Sequence, residues 1–264
     1  STHLLSQQVE AVFQEARQAA ADFLGAQTPN EIVFTSGTTE AANLVARAFP
    51  YEGRRQVLLT DLEHNAVFLP FYEAARRGEV ELRFCRSKDG RLDPVLIDEL
   101  LCEKTALVAV TRSSNVMGGV QPLNEICRLA HRKGVRVFAD EAQNVSSHRE
   151  DVQANDVEYA AFSAHKIGGP FGLGVLYGKE TLLNSLGHYM VGGGSVKSVA
   201  WDGVVTPEVR YLDAPTRFEA GVQNFAAFPG LTEAITLLRS LAQAPLREHI
   251  AALVRRAVEG LMRF

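Results

Sequence analysis

Apolar residues at Leu5, Val9, Val12, Phe13, Ala16, Ala20 and Phe23 recur at spacings of three and four, the signature of an amphipathic helix at the start of the chain. Short β-rich runs then alternate with helical patterns. A strand is predicted near Glu31–Thr35, a helix over Thr38–Ala48, a strand over Gln56–Leu59 and a helix over His64–Arg77. The alternation continues with strand Glu79–Cys85, helix Asp93–Leu101, strand Ala106–Thr111, helix Leu123–Lys133 and strand Arg136–Asp140. Such a series implies right-handed crossovers and an α/β fold, a mainly parallel sheet with helices on both faces. Ligands of open sheets of this kind bind beyond the carboxyl ends of the strands, so candidate chemistry is sought there.

Two further strands are readable at Val157–Ser163 and Gly172–Tyr177. The loop between them, Ala164–Phe171, is too short for a helical crossover and predicts an antiparallel return. From Met190 to Gly221 helical periodicity is lost and Gly192, Gly193, Gly194, Pro207 and Pro215 intervene, which reads as a loop or hairpin before a helix over Phe225–Ala242. A last apolar stripe, Ile250, Leu253, Val254, Val258, Leu261 and Met262, describes a helix running to Phe264. Helical periodicity begins at once and stops abruptly, so both ends read as cut from a longer chain or a longer ordered structure.

A chain of 264 residues, 46% hydrophobic and 22% charged, can bury one substantial core. A net charge of -4 with scattered Lys and Arg gives no basic field for nucleic acid or an acidic membrane surface, and favours a small-molecule ligand or a protein partner. No run approaches membrane-spanning length and no secretory signal pattern opens the chain. Cys85, Cys102 and Cys127 lie far apart without a CxxC pair, which argues against a disulfide framework or a zinc site and suits a reducing cytosol. Cys127 sits in a helical pattern and Cys85 ends an apolar run, so packing is the expected role.

Three segments carry chemistry. Thr35-Ser36-Gly37-Thr38-Thr39-Glu40 follows a strand and opens a helix, where free N–H groups, hydroxyls and the helix dipole can cradle an anion. Alternatively Ser36 or Thr38 simply caps the helix. The run from Val135 to Gln143 places Asp140 at the end of an apolar strand, where a carboxylate can pair with a cationic ring nitrogen, cap the following turn or coordinate a metal. Phe162-Ser163-Ala164-His165-Lys166-Ile167-Gly168-Gly169-Pro170 puts a hydroxyl, an imidazole and an amine within four residues at a strand end, beside glycines that admit a close backbone approach. An amine there can form a Schiff base with an aldehyde while Ser163 and His165 reach a phosphate.

Taken in order, Thr38-Thr39, Glu63-His64, Ser114-Asn115, Asp140-Glu141-Ala142-Gln143, Ser163-Ala164-His165-Lys166 and Arg217-Phe218-Glu219-Ala220-Gly221 resemble the class V, fold-type I enzymes that use pyridoxal 5′-phosphate (PLP). The nearest likeness is to the group-II (SufS/CsdA-like) cysteine desulfurases, from about Thr2 to about Gly230. The resemblance implies that Lys166 bears the cofactor and shuttles protons, that Asp140 pairs with the pyridinium nitrogen, and that Gln143 bonds the ring oxygen. It implies that His64 stacks on the ring, that Asn115 lies near cofactor and substrate, and that Thr38, Thr39, Ser163 and His165 hold the phosphate. Catalytic roles then fall to Lys166, His64 and Asp140, with no metal.

The implied architecture is a PLP-binding large domain over 1–242 and, over 243–264, the start of a helix leading to an absent C-terminal small domain. The implied reaction removes sulfur from L-cysteine, giving L-alanine and a persulfide, in a cytoplasmic homodimer with a sulfur-acceptor protein as a possible partner. Other class V activities, such as C–S lyase, epimerase or aminotransferase, and a non-catalytic scaffold are the alternatives. The chain departs from the family's pattern in three ways. The persulfide cysteine and the arginine for the substrate carboxylate belong to the missing part, Val222 stands where a threonine usually reaches the phosphate of the neighbouring subunit's cofactor, and Glu141 replaces a small residue.

Overall fold

The computed structural model describes residues 4–51, 53–204, 206–241 and 243–263. In chain order its helices and strands are α1 (Leu4–Leu24), β1 (Ile32–Thr35), α2 (Thr38–Ala48), β2 (Gln56–Thr60), α3 (Asn65–Arg76), β3 (Glu81–Cys85), α4 (Pro94–Leu100), β4 (Thr105–Thr111), α5 (Leu123–Arg132) and β5 (Arg136–Asp140). There follow α6 (Val152–Asn155), β6 (Tyr159–Ser163), β7 (Gly174–Gly178), α7 (Glu180–Ser185), β8 (Val196–Ala200), β9 (Glu208–Tyr211), α8 (Phe228–Ser240) and α9 (Gln243–Leu261).

Seven strands form one sheet in the order β1-β7-β6-β5-β4-β2-β3. Among them β7 alone runs against its neighbours, pairing antiparallel with both β6 and β1, as the short connection from Ser163 requires. The other six therefore point the same way and end on one edge. The sheet is covered on both faces, which is why its central strands read as unbroken apolar runs. Along β4, Val108 and Val110 enter one core with Phe13, Ile126 and Phe228, while Leu107 and Ala109 enter the other with Leu44, Val45 and Phe71. The first core is tied by an aromatic cluster in which the Phe228 ring of α8 lies 4.9 Å from Phe13 of α1 and 4.6 Å from Phe34 of β1.

Several element ends differ from the sequence expectation, each for a local reason. The strand expected from Glu79 starts at Glu81, because Gly78 adopts a left-handed φ of 75° and Glu79 N–H returns to Ala74 O to close α3. The strand expected from Val157 starts at Tyr159, because Val157 N–H closes the short helix α6 on Val152 O. The single helix expected over Phe225–Ala242 is a 3-10 turn, Phe225–Ala227, followed by α8, with Pro229 in the first turn of α8, where its missing N–H is not needed. The segment from Met190 to Gly221 does contain a hairpin, β8 with β9. The domain boundary expected at 242 falls at Ala242, outside the described residues.

Candidate active site

Where the six co-directional strands end, a cavity of about 200 Å³ opens. Five of the six strand ends, all but that of β3, supply residues to the lining. Thr38 and Thr39 come from the start of α2, His64 and Ala66 from the start of α3, and Thr111, Ser113 and Asn115 from the end of β4. Asp140, Ala142 and Gln143 come from the end of β5, and Ser163, His165 and Lys166 from the end of β6. All nine residues singled out in the sequence thus line one cavity. The lining residues without an advance signal are Ala66, Thr111 and Ser113, of which only Ser113, beside Ser114-Asn115, stood next to a recognised motif, while Ala142 lies inside the Asp140–Gln143 motif.

The hydroxyl side of the cavity is built by contact between the start of α2 and the end of β6. Thr38 N–H donates to Ser163 Oγ at 2.9 Å and the Thr38 and Ser163 hydroxyls lie 2.9 Å apart. Neither Ser36 nor Thr38 caps α2: the N-cap residue is Gly37, with no side-chain cap, and the Ser36 N–H goes instead to Glu40 Oε2. The positive end of an eleven-residue helix is therefore left to the cavity, beside two hydroxyls. Close passage of β7 makes this possible. A Cβ at Gly174, paired with Thr35, would collide with the Gly37 backbone.

His64 caps α3, its Nδ1 accepting the Ala66 N–H at 3.1 Å, which leaves Nε2 as the nitrogen free to carry a proton. Asp140 is buried, and its Oδ1 accepts the Ala142 N–H at 2.9 Å, so it caps its turn and lines the cavity at once. Burial pushes the Asp140 carboxyl above its ordinary range, opposed by that N–H and by the electrostatic influence of His64 and Lys166. Among the described residues its Oδ2 accepts no hydrogen bond, and a cationic donor in the cavity would meet it. Lys166 stands on the 3-10 turn Ala164–Ile167, ended by Gly168 at φ 81°. Its amine, likewise, has no partner among the described residues. The His165 ring stacks on Phe171 at 5.3 Å, Asn115 sits exposed in the turn closed by Gly118 N–H on Ser114 O, and Gln143 is half-buried.

Behind this lining stand buried acids. Glu63 Oε1 accepts from Thr60 Oγ1 at 2.6 Å and from Thr111 N–H at 3.0 Å, joining the ends of β2 and β4 directly before His64. Desolvation outweighs those bonds and pushes Glu63 up to about 8. Glu219, of the Arg217–Gly221 segment, forms a bidentate pair with Arg17 at 2.9 and 2.7 Å and also takes the Phe34 N–H, so this segment is tied to α1 and β1. Val222 is 94% exposed. Cys85 and Cys127 are buried, as their patterns implied, and burial raises both thiols, whereas Cys102 is exposed and its thiol is lowered by hydrogen bonds at Lys104 and Thr105. None of the three lines the cavity.

The donor set suits PLP. A hydroxyl-lined helix N-terminus fits a phosphate, a buried carboxyl with an open oxygen fits a protonated ring nitrogen, and an unpartnered amine fits an aldehyde.

The whole chain, residues 1–264, matches the family model described as aminotransferase class-V. A cysteine desulfurase of Dickeya dadantii is 38% identical over 263 residues, covering 98% of this chain and 63% of its own length. A cysteine desulfurase structure from Thermococcus onnurineus superposes with a TM-score of 0.92 at 31% identity, over 100% of this chain and 65% of its own. The cystine C–S lyase C-DES, solved with its product cysteine persulfide, gives 0.80 at 27% identity, over 91% and 64%. A variant of C-DES has been solved with glycine covalently linked to its PLP cofactor. The chain spans about 62–64% of the length of the curated relatives it matches.

Proposed function

The chain belongs to the aminotransferase class-V family, and from that premise we propose that it is the cofactor-binding portion of a PLP enzyme that removes sulfur from L-cysteine to give L-alanine and a persulfide. The observation that carries this reading is the meeting of three groups on one small cavity: the unpartnered amine of Lys166, the buried carboxyl of Asp140 and the hydroxyls at the start of α2. Among the described residues no other cavity brings an aldehyde-reactive, a cation-binding and a phosphate-binding group together.

PLP bound there supplies an aldehyde to link the substrate amine and a protonated ring that makes the substrate Cα–H acidic. Each residue then has a task set by its chemistry. Thr38, Thr39, Ser163 and His165 bind the phosphate, and Asp140 holds the proton on the ring nitrogen, gaining in return a cation that offsets its burial. His64 packs on the ring, Gln143 donates to the ring oxygen and Asn115 orients the substrate. Lys166 Nζ takes the Cα proton and returns one to the product. The sulfur leaves to an attacking thiolate, which becomes the persulfide, and that thiol is supplied from outside the cavity lining described above. A homodimer, a sulfur-accepting protein and a cytoplasmic setting belong to the same proposal. No helix among the described residues is long and apolar enough to cross a membrane.

The test is visible absorbance of the purified protein with added PLP, compared with Lys166→Ala. A visible band formed only with Lys166 supports the reading, and L-cysteine supplied to the full-length enzyme should then yield alanine. No band in a folded protein overturns it, while pyruvate in place of alanine moves the activity to a C–S lyase.

A further inference from the structure

Glu141 stands where the family's pattern has a small residue, and the fold shows what the larger side chain does. It is fully buried, yet it is absent from the cavity lining that its neighbours Asp140 and Ala142 form, so it turns to the opposite side of the chain. There Asn144 Nδ2 donates to Glu141 Oε2 at 2.8 Å and to Glu150 Oε2 at 3.0 Å, placing two buried carboxyl groups around one amide. The neighbouring cation is Arg112, whose Nε lies 3.7 Å from Glu150 Oε2 and whose Nη1 donates to Gln121 O. Asn155 donates to the other oxygen of Glu150, and Asp140, its neighbour in the chain, is the remaining charge that acts on Glu141.

The main chain at Glu141 is equally committed. Its N–H donates to Ala161 O at 2.9 Å, and its carbonyl accepts the N–H groups of Asn144 at 2.9 Å and Val145 at 3.1 Å. Arg112 N–H donates to Asp140 O at 2.8 Å. Thus the same two residues, Glu141 and Arg112, grip the end of β5 by backbone and by side chain.

Two buried carboxylates beside one half-buried guanidinium leave one uncompensated negative charge, which such an interior tolerates poorly. A proton resolves the imbalance. Glu141 Oε1 is buried with no donor facing it, the arrangement suited to a protonated oxygen rather than an ionised acceptor. Burial and the charge of Glu150 raise Glu141 well above the ordinary range, while Glu150, also raised by burial, is held down by Arg112 and by the hydrogen bond from Asn155.

We propose that Glu141 and Glu150 share a single proton and, with Asn144 between them and Arg112 beside them, form a neutral buried anchor that positions the Asp140–Gln143 turn against the cofactor. The inference rests on the functional reading above for what the turn holds, but not for the proton. Neutrality matters because an ionised Glu141 next to Asp140 would push the Asp140 carboxyl further up and weaken its hold on a ring proton. Glu141 is thus a positioning residue that acts through Asp140.

The experiment has two readouts on the full chain. Infrared spectra of the cofactor-free protein at neutral pH should contain a protonated-carboxyl band that persists in Glu63→Gln, so that it is not the band of Glu63, and that is lost in Glu141→Gln. PLP affinity, followed by fluorescence, should fall on the order of tenfold in Glu141→Ala, the lower end of what outer supports of metal ligands contribute. Glu141→Gln, which keeps the shape and neutrality of the protonated side chain, should bind within about threefold of wild type. Survival of the band in Glu141→Gln, or equal affinity loss in the Ala and Gln variants, overturns the proposal. If Glu141→Ala does not fold, the infrared comparison and the affinity of Glu141→Gln still decide it. Failure of the wild type to bind PLP would overturn the functional reading instead, leaving the shared proton to stand or fall on the band.

Discussion

Replacing Glu63 by glutamine should remove a large, pH-dependent destabilisation. The carboxyl is buried, one oxygen is held by Thr60 and Thr111, and Oε2 has no partner among the described residues. Ionisation therefore leaves a charge with too few donors, and nearby Asp140 and Asp61 add repulsion. A carboxyl at 4.5 in the unfolded chain and about 8 in the folded one favours folding only while protonated. The contribution is complete below pH 4.5, declines as pH rises through the window between those values, and levels off above about 8. The full loss is about 5 kcal/mol. Glutamine has the same shape, keeps an oxygen for the Thr111 N–H and does not titrate. Urea unfolding of both proteins from pH 5 to 9 gives the stability difference at each pH, in which all shared titrations cancel. The variant should gain on wild type steadily from acid to alkaline pH and then plateau. A difference that stays constant across that range would refute the protonated state assigned to Glu63.

Other predictions follow from single contacts. Glu219→Ala leaves Arg17 buried without its partner and should destabilise the chain by about 3–5 kcal/mol, measured by urea unfolding; a change below about 1 kcal/mol would contradict the buried pair. Gly174→Ala drives a methyl group into the Gly37 backbone, so it should displace the loop before α2 and weaken PLP binding even where the protein still folds, and unchanged PLP affinity would count against that packing. Asp140→Asn removes a charged acceptor worth roughly 1.5–3 kcal/mol, so PLP affinity measured by fluorescence should fall about ten- to a hundredfold while the fold persists. Equal affinity would remove Asp140 from the site.

The alternation of apolar runs from Ile32 to Asp140 made the parallel sheet legible, because strands buried on both faces carry a strong local signal. The return of β7 was legible too, since a loop of a few residues after Ser163 cannot cross over. Short helices such as α6 and α7 were not, because four and six residues are too few to show a period. In the site, Lys166, Asp140 and Thr38 were readable from their position at strand ends, Lys166 and Thr38 beside glycines. Thr111 was not, since its role depends on where β4 stops relative to β2, which is a property of the sheet. Nor did the sequence say what Glu141 faces: Glu150 lies nine residues on, and only the folded turn brings the two around Asn144.

The central claim is that Lys166 is the amine that carries PLP, and the most direct measurement is borohydride reduction of the protein–PLP mixture followed by peptide mapping. The account predicts one stoichiometric pyridoxyl label, on the peptide containing Lys166, and its loss in Lys166→Ala. A label spread over surface lysines such as Lys88, Lys104 and Lys197, undiminished in that variant, would contradict it.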